Sequence, residues 1–506
     1  MSTKILAAAL IGLETEIIEV EADSGGGDFG QIAIVGLPDT AVSEAKERVK
    51  SALRNCGLVY PRRKITVNLA PANLKKHGPI YDLPIAVSIL ALKNSFKINL
   101  NECLIVGELS LSGEVRAING VLSIALKAKE LHINNLFIPY ANAAEAKLIS
   151  GLNIFPVKNL RQIINHLMGK TLIKEACAQL LNIVENENKN DISEINGQIK
   201  AKRALEIAAA GGHNLLLFGP PGSGKTMLAK CLPGILPPLS REEILEVTKI
   251  YSIAGEIRNR SNLISSRPFR APHHSASRVA LVGGGAIPKP GEISLAHRGV
   301  LFLDEFPEFS RYVLETLRQP IEDGYINISR AAHSFKFPAK FILVAAMNPC
   351  PCGYYGDKNK SCTCRPQEIH NYRRRLSGPL LDRIDMQVEM PRLNINDLNN
   401  YDSQLNESSR EIKKRVLIAQ NRALNRWPNN EFVNNSEMTC HEIKKHCLLN
   451  SDSLSLIKKG TTKFNLSARS YFRVLKVART IADLENSDKI KLEHLGEALQ
   501  YRTQLE

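Results

Sequence analysis

The spacing of apolar and polar residues changes several times along the chain. Up to about residue 170, short strand-like runs (32–37, IAIVGL; 64–70, KITVNLA; 103–111, CLIVGELSL) are interspersed with helical stretches such as 40–53, TAVSEAKERVKSAL. That mixture predicts an α/β or α+β domain over residues 1–170. An apolar run from Ile5 to Leu13 follows Lys4, but Glu14 and Glu16 come at once and no A-x-A cleavage pattern follows. The stretch is therefore read as a first strand pair, not as a secretion signal. The polar, turn-rich stretch 185–197, ENENKNDISEING, closes a linker assigned to 171–197. Strands and helices alternate over 198–395, which predicts an α/β core. Residues 396–506 carry apolar positions at helical spacing, as in 411–427 and 467–485. No solenoid-length repeat is present.

The central block contains the most specific chemistry. Strand-like 214–218, NLLLF, runs into Gly219-Pro220-Pro221-Gly222-Ser223-Gly224-Lys225-Thr226, and a helix-like segment follows. This fits the G-x-x-x-x-G-K-[ST] phosphate loop in full. Glycines let backbone N–H groups turn inward around an anion, and the helix N-terminus reinforces the field. Lys225 is placed to meet the β- and γ-phosphates of ATP, and Thr226 to ligate Mg²⁺. The run 299–305, GVLFLDE, reads as a buried strand ending in Asp304, for Mg²⁺, and Glu305, for the attacking water. A third strand, FILVAAMN, ends in Asn348, which is placed to help position that water. In 376–386, LSGPLLDRIDM, Arg383 is either presented to a neighbouring subunit's γ-phosphate or paired locally with Asp382 or Asp385. Arg469 opens a basic helix from which it can touch phosphate.

Taken in order, GPPGSGKT, LFLDE, MN and LLDRID resemble the AAA+ ATPases, in particular the branch of magnesium chelatase motor subunits and MCM helicases. The interval holding SSRPFRAPHH is similar to that branch's helix-2 insert. The alternation Ile326, Ile328 and Phe335, Phe337 around Ala331-Ala332 reads as its pre-sensor hairpin. The N-terminal stretches 30–53, 62–86 and 106–125 closely resemble the ComM/YifB family of Mg-chelatase-like ATPases. The resemblance implies a homo-hexameric ring acting on DNA, with other recombination proteins as possible partners. In that family, ComM-type members drive branch migration during recombination of incoming DNA. It further implies that Arg383 is the arginine finger and Arg469 the sensor-2 arginine. The first block is also similar to the proteolytic domain of Lon. However, Ile80 follows Gly78-Pro79, and Leu122 follows Asn119-Gly120-Val121. Neither side chain supplies a nucleophile or a base, so no peptide hydrolysis by that dyad is expected.

The chain has 506 residues, 44% of them apolar, enough for roughly three domains. Lys and Arg number 66 against 51 Asp and Glu, a net charge of +15 that suits a polyanionic partner or reflects a generally lysine-rich surface. Arg373–Arg375, Arg415, Arg422, Arg426, His273, His274, Arg278 and Arg330 are candidates for tracking DNA phosphates, or are solvated charges. With one Trp and 6% aromatics, backbone tracking fits better than base stacking. No apolar stretch is long enough to span a membrane, and a cytoplasmic setting is expected. Six of the ten cysteines are scattered, Cys177 among them. The others, Cys350-x-Cys352 and Cys362-x-Cys364, suit a structural Zn²⁺ or an iron–sulfur cluster, with reduced thiols or a redox-labile pair as alternatives. Besides the DNA motor, two readings stay open: a magnesium-chelatase-type motor subunit, and a protein-remodelling ATPase whose first domain binds a client.

Overall fold

The computed structural model describes residues 2–25, 30–60, 63–176, 190–257, 263–285, 288–329, 334–357, 360–392, 407–427, 434–464 and 466–502. Arg330 with the Ala331-Ala332 turn, residues 177–189 of the linker with Cys177, and residues 393–406 lie outside them. The chain divides into two compact units: residues 1–183 with 244–264, and residues 184–243 with 265–506.

The first unit is built on one mixed seven-stranded sheet. Its strands are β1 (Ser2–Ile11), β2 (Glu14–Gly25), β3 (Ile32–Val35), β4 (Lys64–Ala70), β5 (Cys103–Ile105), β6 (Asn135–Pro139) and β7 (Asn153–Val157), in the order β3-β4-β2-β1-β5-β6-β7. The expected first strand pair is present. β1 and β2 run antiparallel with Ile5 opposite Val20, and Gly12, at φ +63°, occupies the turn between them. Helix α1 (Ala45–Asn55) is amphipathic and buries Val49, Ala52 and Leu53. By contrast, α2 (Asp82–Ala91) is buried all round except at its last residue. A helix with no polar face belongs inside a core. Ile80 and Leu122 are both buried. That is how apolar residues behave as packing, and it leaves no reactive side chain at either position.

The second unit carries a five-stranded, wholly parallel sheet: β8 (Leu215–Phe218), β9 (Phe269–Arg270), β10 (Val300–Leu303), β13 (Ile342–Met347) and β14 (Met386–Glu389), in the order β9-β10-β13-β8-β14. The central strands read as continuous apolar runs because both faces are covered, as parallel sheets require. All four residues of β10 and all six of β13 are buried. Between β10 and β13 the chain forms a hairpin of β11 (Tyr325–Ser329) and β12 (Ser334–Pro338), with Ile326 opposite Phe337 and Ile328 opposite Phe335. Around the sheet lie α3 (Ile199–Gly211) and α4 (Lys225–Ile235), and the C-terminal helices α6 (Ser409–Asn425), α7 (Ala468–Leu484) and α8 (Leu492–Gln500). The short α5 (Arg318–Asp323) leads into β11. Ser408 with Glu411 closes a capping box at the start of α6, and Ser467 caps α7. No described helix is long and apolar enough to cross a membrane.

Candidate active site

The phosphate loop leaves the end of β8. Gly222 and Gly224 stand at φ +79° and +91°, in the left-handed region where other residues are strained. At Gly219 a Cβ would lie 2.2 Å from the Met390 carbonyl oxygen, so only glycine fits there. Lys225 begins α4 and turns its ammonium back into the loop. Its Nζ donates to the carbonyls of Gly219 (2.7 Å) and Pro220 (2.8 Å), and reaches Asn348 Oδ1 at 3.3 Å. Burial pushes the Lys225 pKa down to about 8, with Asp304 opposing the shift. The ammonium is thus held by neutral oxygens, and no anion among the described residues is in close contact with it.

Sheet order explains why three distant segments meet here. β13 lies between β8 and β10, with Phe218 in register with Met347 and Leu303 with Ala345. The residues just past the three strand ends therefore converge. Thr226 Oγ1 donates to Asp304 Oδ2 at 2.7 Å. Glu305 adopts φ +50°, an uncommon backbone for a non-glycine residue, and its amide donates to Asp304 Oδ1 at 2.9 Å. Its carboxylate meets His274 Nδ1 at 3.1 Å. The contact was not legible beforehand, since His274 reads by itself as a phosphate-tracking group. Lys225, Thr226, Asp304, Glu305 and Asn348 thus form one cluster.

Arg383 and Arg469 lie elsewhere. Asn214, which precedes β8, accepts at its carbonyl from the amides of Asp385 and Met386. Arg383 is therefore near the beginning of the strands, while the phosphate loop is at their end. A four-residue strand at roughly 3.3 Å per residue sets a separation of about 13 Å. Neither of the local acids named as alternatives pairs with Arg383. Asp382 accepts from Ser470 (3.2 Å), and Asp385 pairs with Arg473. Burial works against the Asp385 charge, but Arg473, His213 and the Asn214 amide hold its carboxyl well below the usual range. The partner of Arg383 is Glu322, 2.7 Å from Nη2, and Arg469 meets the other oxygen of the same carboxylate at 2.8 Å.

The four clustered cysteines come together with all their sulfurs within 4.8 Å. Sγ–Sγ separations are 3.3 Å for Cys350–Cys352, 3.7 Å for Cys350–Cys362 and 3.5 Å for Cys352–Cys362. Tetrahedral Zn–S bonds of about 2.3 Å require edges of about 3.8 Å, so the donor set fits a closed zinc site. The Cys352 amide donates to Cys364 Sγ, and the Tyr355 amide to Cys350 Sγ, each at 3.3 Å. The cluster also abuts the phosphate loop, because a Cβ on Gly353 would lie 2.7 Å from the Pro221 side chain.

Several basic residues are already engaged within the chain. Arg415 pairs with Glu206 (2.6 Å) and Glu407, Arg422 with Asp488, and Arg426 with Asp483. These three arginines, candidates for tracking phosphates, pair instead with acids of the chain itself. Arg278 donates to the Tyr312 hydroxyl at 2.6 Å and lies over its ring, and Arg375 pairs with Glu308 at 2.6 Å.

A parallel sheet whose strand ends carry a phosphate loop, an Asp-Glu pair and an asparagine defines a P-loop ATPase fold of the Mg-chelatase-like AAA+ class. The magnesium chelatase subunit ChlI family model matches residues 191–398, its C-terminal model residues 406–502, and the model described as subunit ChlI of Mg-chelatase residues 18–142. The chain is 46% identical to YifB of Salmonella typhimurium over 98% of this chain and 96% of that one. It is 44% identical to competence protein ComM of Haemophilus influenzae over 98% and 97%. The magnesium-chelatase 38 kDa subunit of Rhodobacter capsulatus is 26% identical over 60% of this chain and 83% of its own. The chain belongs to the ComM/YifB family of Mg-chelatase-like ATPases.

Proposed function

We propose that this protein is an ATP-driven motor on DNA, assembled as a homo-hexameric ring and acting as a branch-migration helicase in recombination and natural transformation. The observation that carries the reading is the split site. The phosphate-binding and water-activating residues are at one end of the sheet, and two arginines bound to one carboxylate are at the other. A ring places the arginine end of one copy against the phosphate end of the next, completing a pocket that a single copy leaves incomplete.

Within that pocket Thr226 and Asp304 offer the hard oxygen donors that suit Mg²⁺, and the Mg²⁺ would neutralise charge on the β- and γ-phosphates. Lys225 binds phosphate oxygens of the β- and γ-groups. Glu305 orients and deprotonates the attacking water, and Asn348 helps to fix that water. Arg383 and Arg469 of the neighbour stabilise the charge that develops on the γ-phosphate.

DNA as the load rests on near full-length similarity to a protein named for competence and on the net charge of +15. The chelatase-motor alternative is weaker, since the chelatase relative matches only 60% of this chain. ATPase rate measured with single-stranded, forked and four-way DNA tests the load. Stimulation of several-fold at low salt, lost at high salt, is expected because phosphate contacts release counterions. Indifference to every DNA would move the assignment to protein remodelling.

The four cysteines are proposed to hold one structural Zn²⁺. Metal analysis of protein purified without chelator should then give one zinc per chain. Because Gly353 packs on Pro221, removing the metal should also weaken ATP binding. Protein free of zinc that binds ATP at full strength would rule out this role.

A further inference from the structure

Glu322 stands between two regions that the proposed function assigns to different tasks. Its two carboxylate oxygens hold Arg383 (2.7 Å) and Arg469 (2.8 Å), which come from separate segments of the chain. Arg383 is 6% exposed, its Nη1 donates to the Pro379 carbonyl at 2.5 Å, and its buried Nε meets no acceptor among the described residues. A guanidinium fixed in this way retains a donor for one more oxygen.

On its other side Glu322 belongs to α5, a six-residue helix that ends at Gly324 in the left-handed conformation, φ +71°. The next residue, Tyr325, begins β11. The Gly324 carbonyl accepts from the Ala339 amide at 2.8 Å, just past the end of β12. The root of the hairpin is thus tied to the last turn of the helix that carries Glu322. A helix this short has little bond network of its own to absorb a displacement before it reaches the hairpin.

We propose that Glu322 is a latch. It is a positioning residue that holds both arginines until a neighbouring subunit's triphosphate takes them, and it passes their departure to the β11–β12 hairpin. The inference rests on the shared pocket proposed above. A triphosphate carries several negative charges and offers oxygens in the geometry that guanidinium groups bind best, so it competes strongly with a single carboxylate. Once both arginines leave, Glu322 loses both of the ion pairs described here, and α5 is free to shift with the hairpin root attached. The coupling is reciprocal, so a hairpin held by a bound polyanion changes how readily Glu322 yields the arginines.

The test uses full-length protein and Glu322→Gln, which keeps the size of the side chain and removes its charge. ATPase rate per protomer is followed against protomer concentration, and hydrogen exchange of the hairpin amides is compared with and without a non-hydrolysable ATP analogue. The latch predicts that the midpoint concentration of Glu322→Gln falls severalfold, because the competitor for the arginines is weakened. Loss of a merely structural contact would raise it. The variant's hairpin amides without nucleotide should already exchange as the wild type does with the analogue. A midpoint that stays or rises, or a full wild-type nucleotide response in the variant, overturns the latch. So does a wild-type hairpin that ignores the analogue. A wild-type rate per protomer independent of concentration would instead remove the shared pocket itself. If Glu322→Gln does not fold, Glu322→Ala is judged by the same criteria.

Discussion

Lys225→Ala should bind ATP at least 100-fold more weakly than wild type, by equilibrium titration, with little change in melting temperature. The ammonium is buried in the loop and held by the carbonyls of Gly219 and Pro220 and by Asn348. These are neutral acceptors, so a triphosphate gains a full charge contact when it arrives. A charge-assisted hydrogen bond contributes about 1.5–3 kcal/mol, and Lys225 is positioned for more than one. Every 1.4 kcal/mol is about tenfold in affinity. The same residue sets a pH dependence. Burial lowers its pKa to about 8 in the free protein, and a bound polyanion must raise it. Binding therefore takes up a proton above that pH, and wild-type affinity should fall as pH rises through 8 and beyond. Below about 7 the lysine is already charged, and this contribution levels off. Lys225→Ala should lose that dependence, and retention of near wild-type ATP affinity would refute the role of the lysine.

What could be read from the chain alone follows from how local each feature is. The phosphate loop is eight consecutive residues, and its glycine conformations are dictated by backbone sterics, so sequence suffices. The hairpin was legible for the same reason, because Ile326, Ile328, Phe335 and Phe337 face one another in a short-range pairing. The ion pairs of the α6 arginines were not legible, because helical spacing shows which residues share a face but not what lies opposite. Glu206, Asp483 and Asp488 come from distant parts of the chain and neutralise Arg415, Arg422 and Arg426. Glu322 escaped notice altogether. An acid near the end of a short helix carries no signal, and its partner Arg383 lies 61 residues further along. The His274–Glu305 contact was hidden in the same way, since it exists only once β9 and β10 lie side by side.

Arg383→Ala should leave the ATP affinity of dilute, unassembled chains within about twofold of wild type and lower kcat by roughly a thousandfold, the lower end of what an arginine finger contributes. The two effects separate because Arg383 lies near the beginning of the strands, beyond reach of the phosphate loop of its own chain, and Arg473 and Asn214 both bond its carbonyl. Substitution also leaves Glu322 with Arg469 alone, an exposed pair whose loss or gain changes stability little. A purely structural arginine would therefore lower kcat only by unfolding the protein, which melting and ATP binding would reveal. Mixing provides the decisive comparison. Glu305→Gln retains Lys225 and Arg383 but lacks the base, whereas Arg383→Ala retains the base but lacks the arginine. Each alone should be nearly inactive. In mixed rings an Arg383→Ala pocket can receive Arg383 from a Glu305→Gln neighbour, so ATP hydrolysis should reappear as the two are combined. Recovery on mixing requires the base and the arginine of one reaction to come from different chains. If the mixture remains as inactive as its components while each still binds ATP and assembles, the arginine acts within its own chain and the split site does not describe the working enzyme.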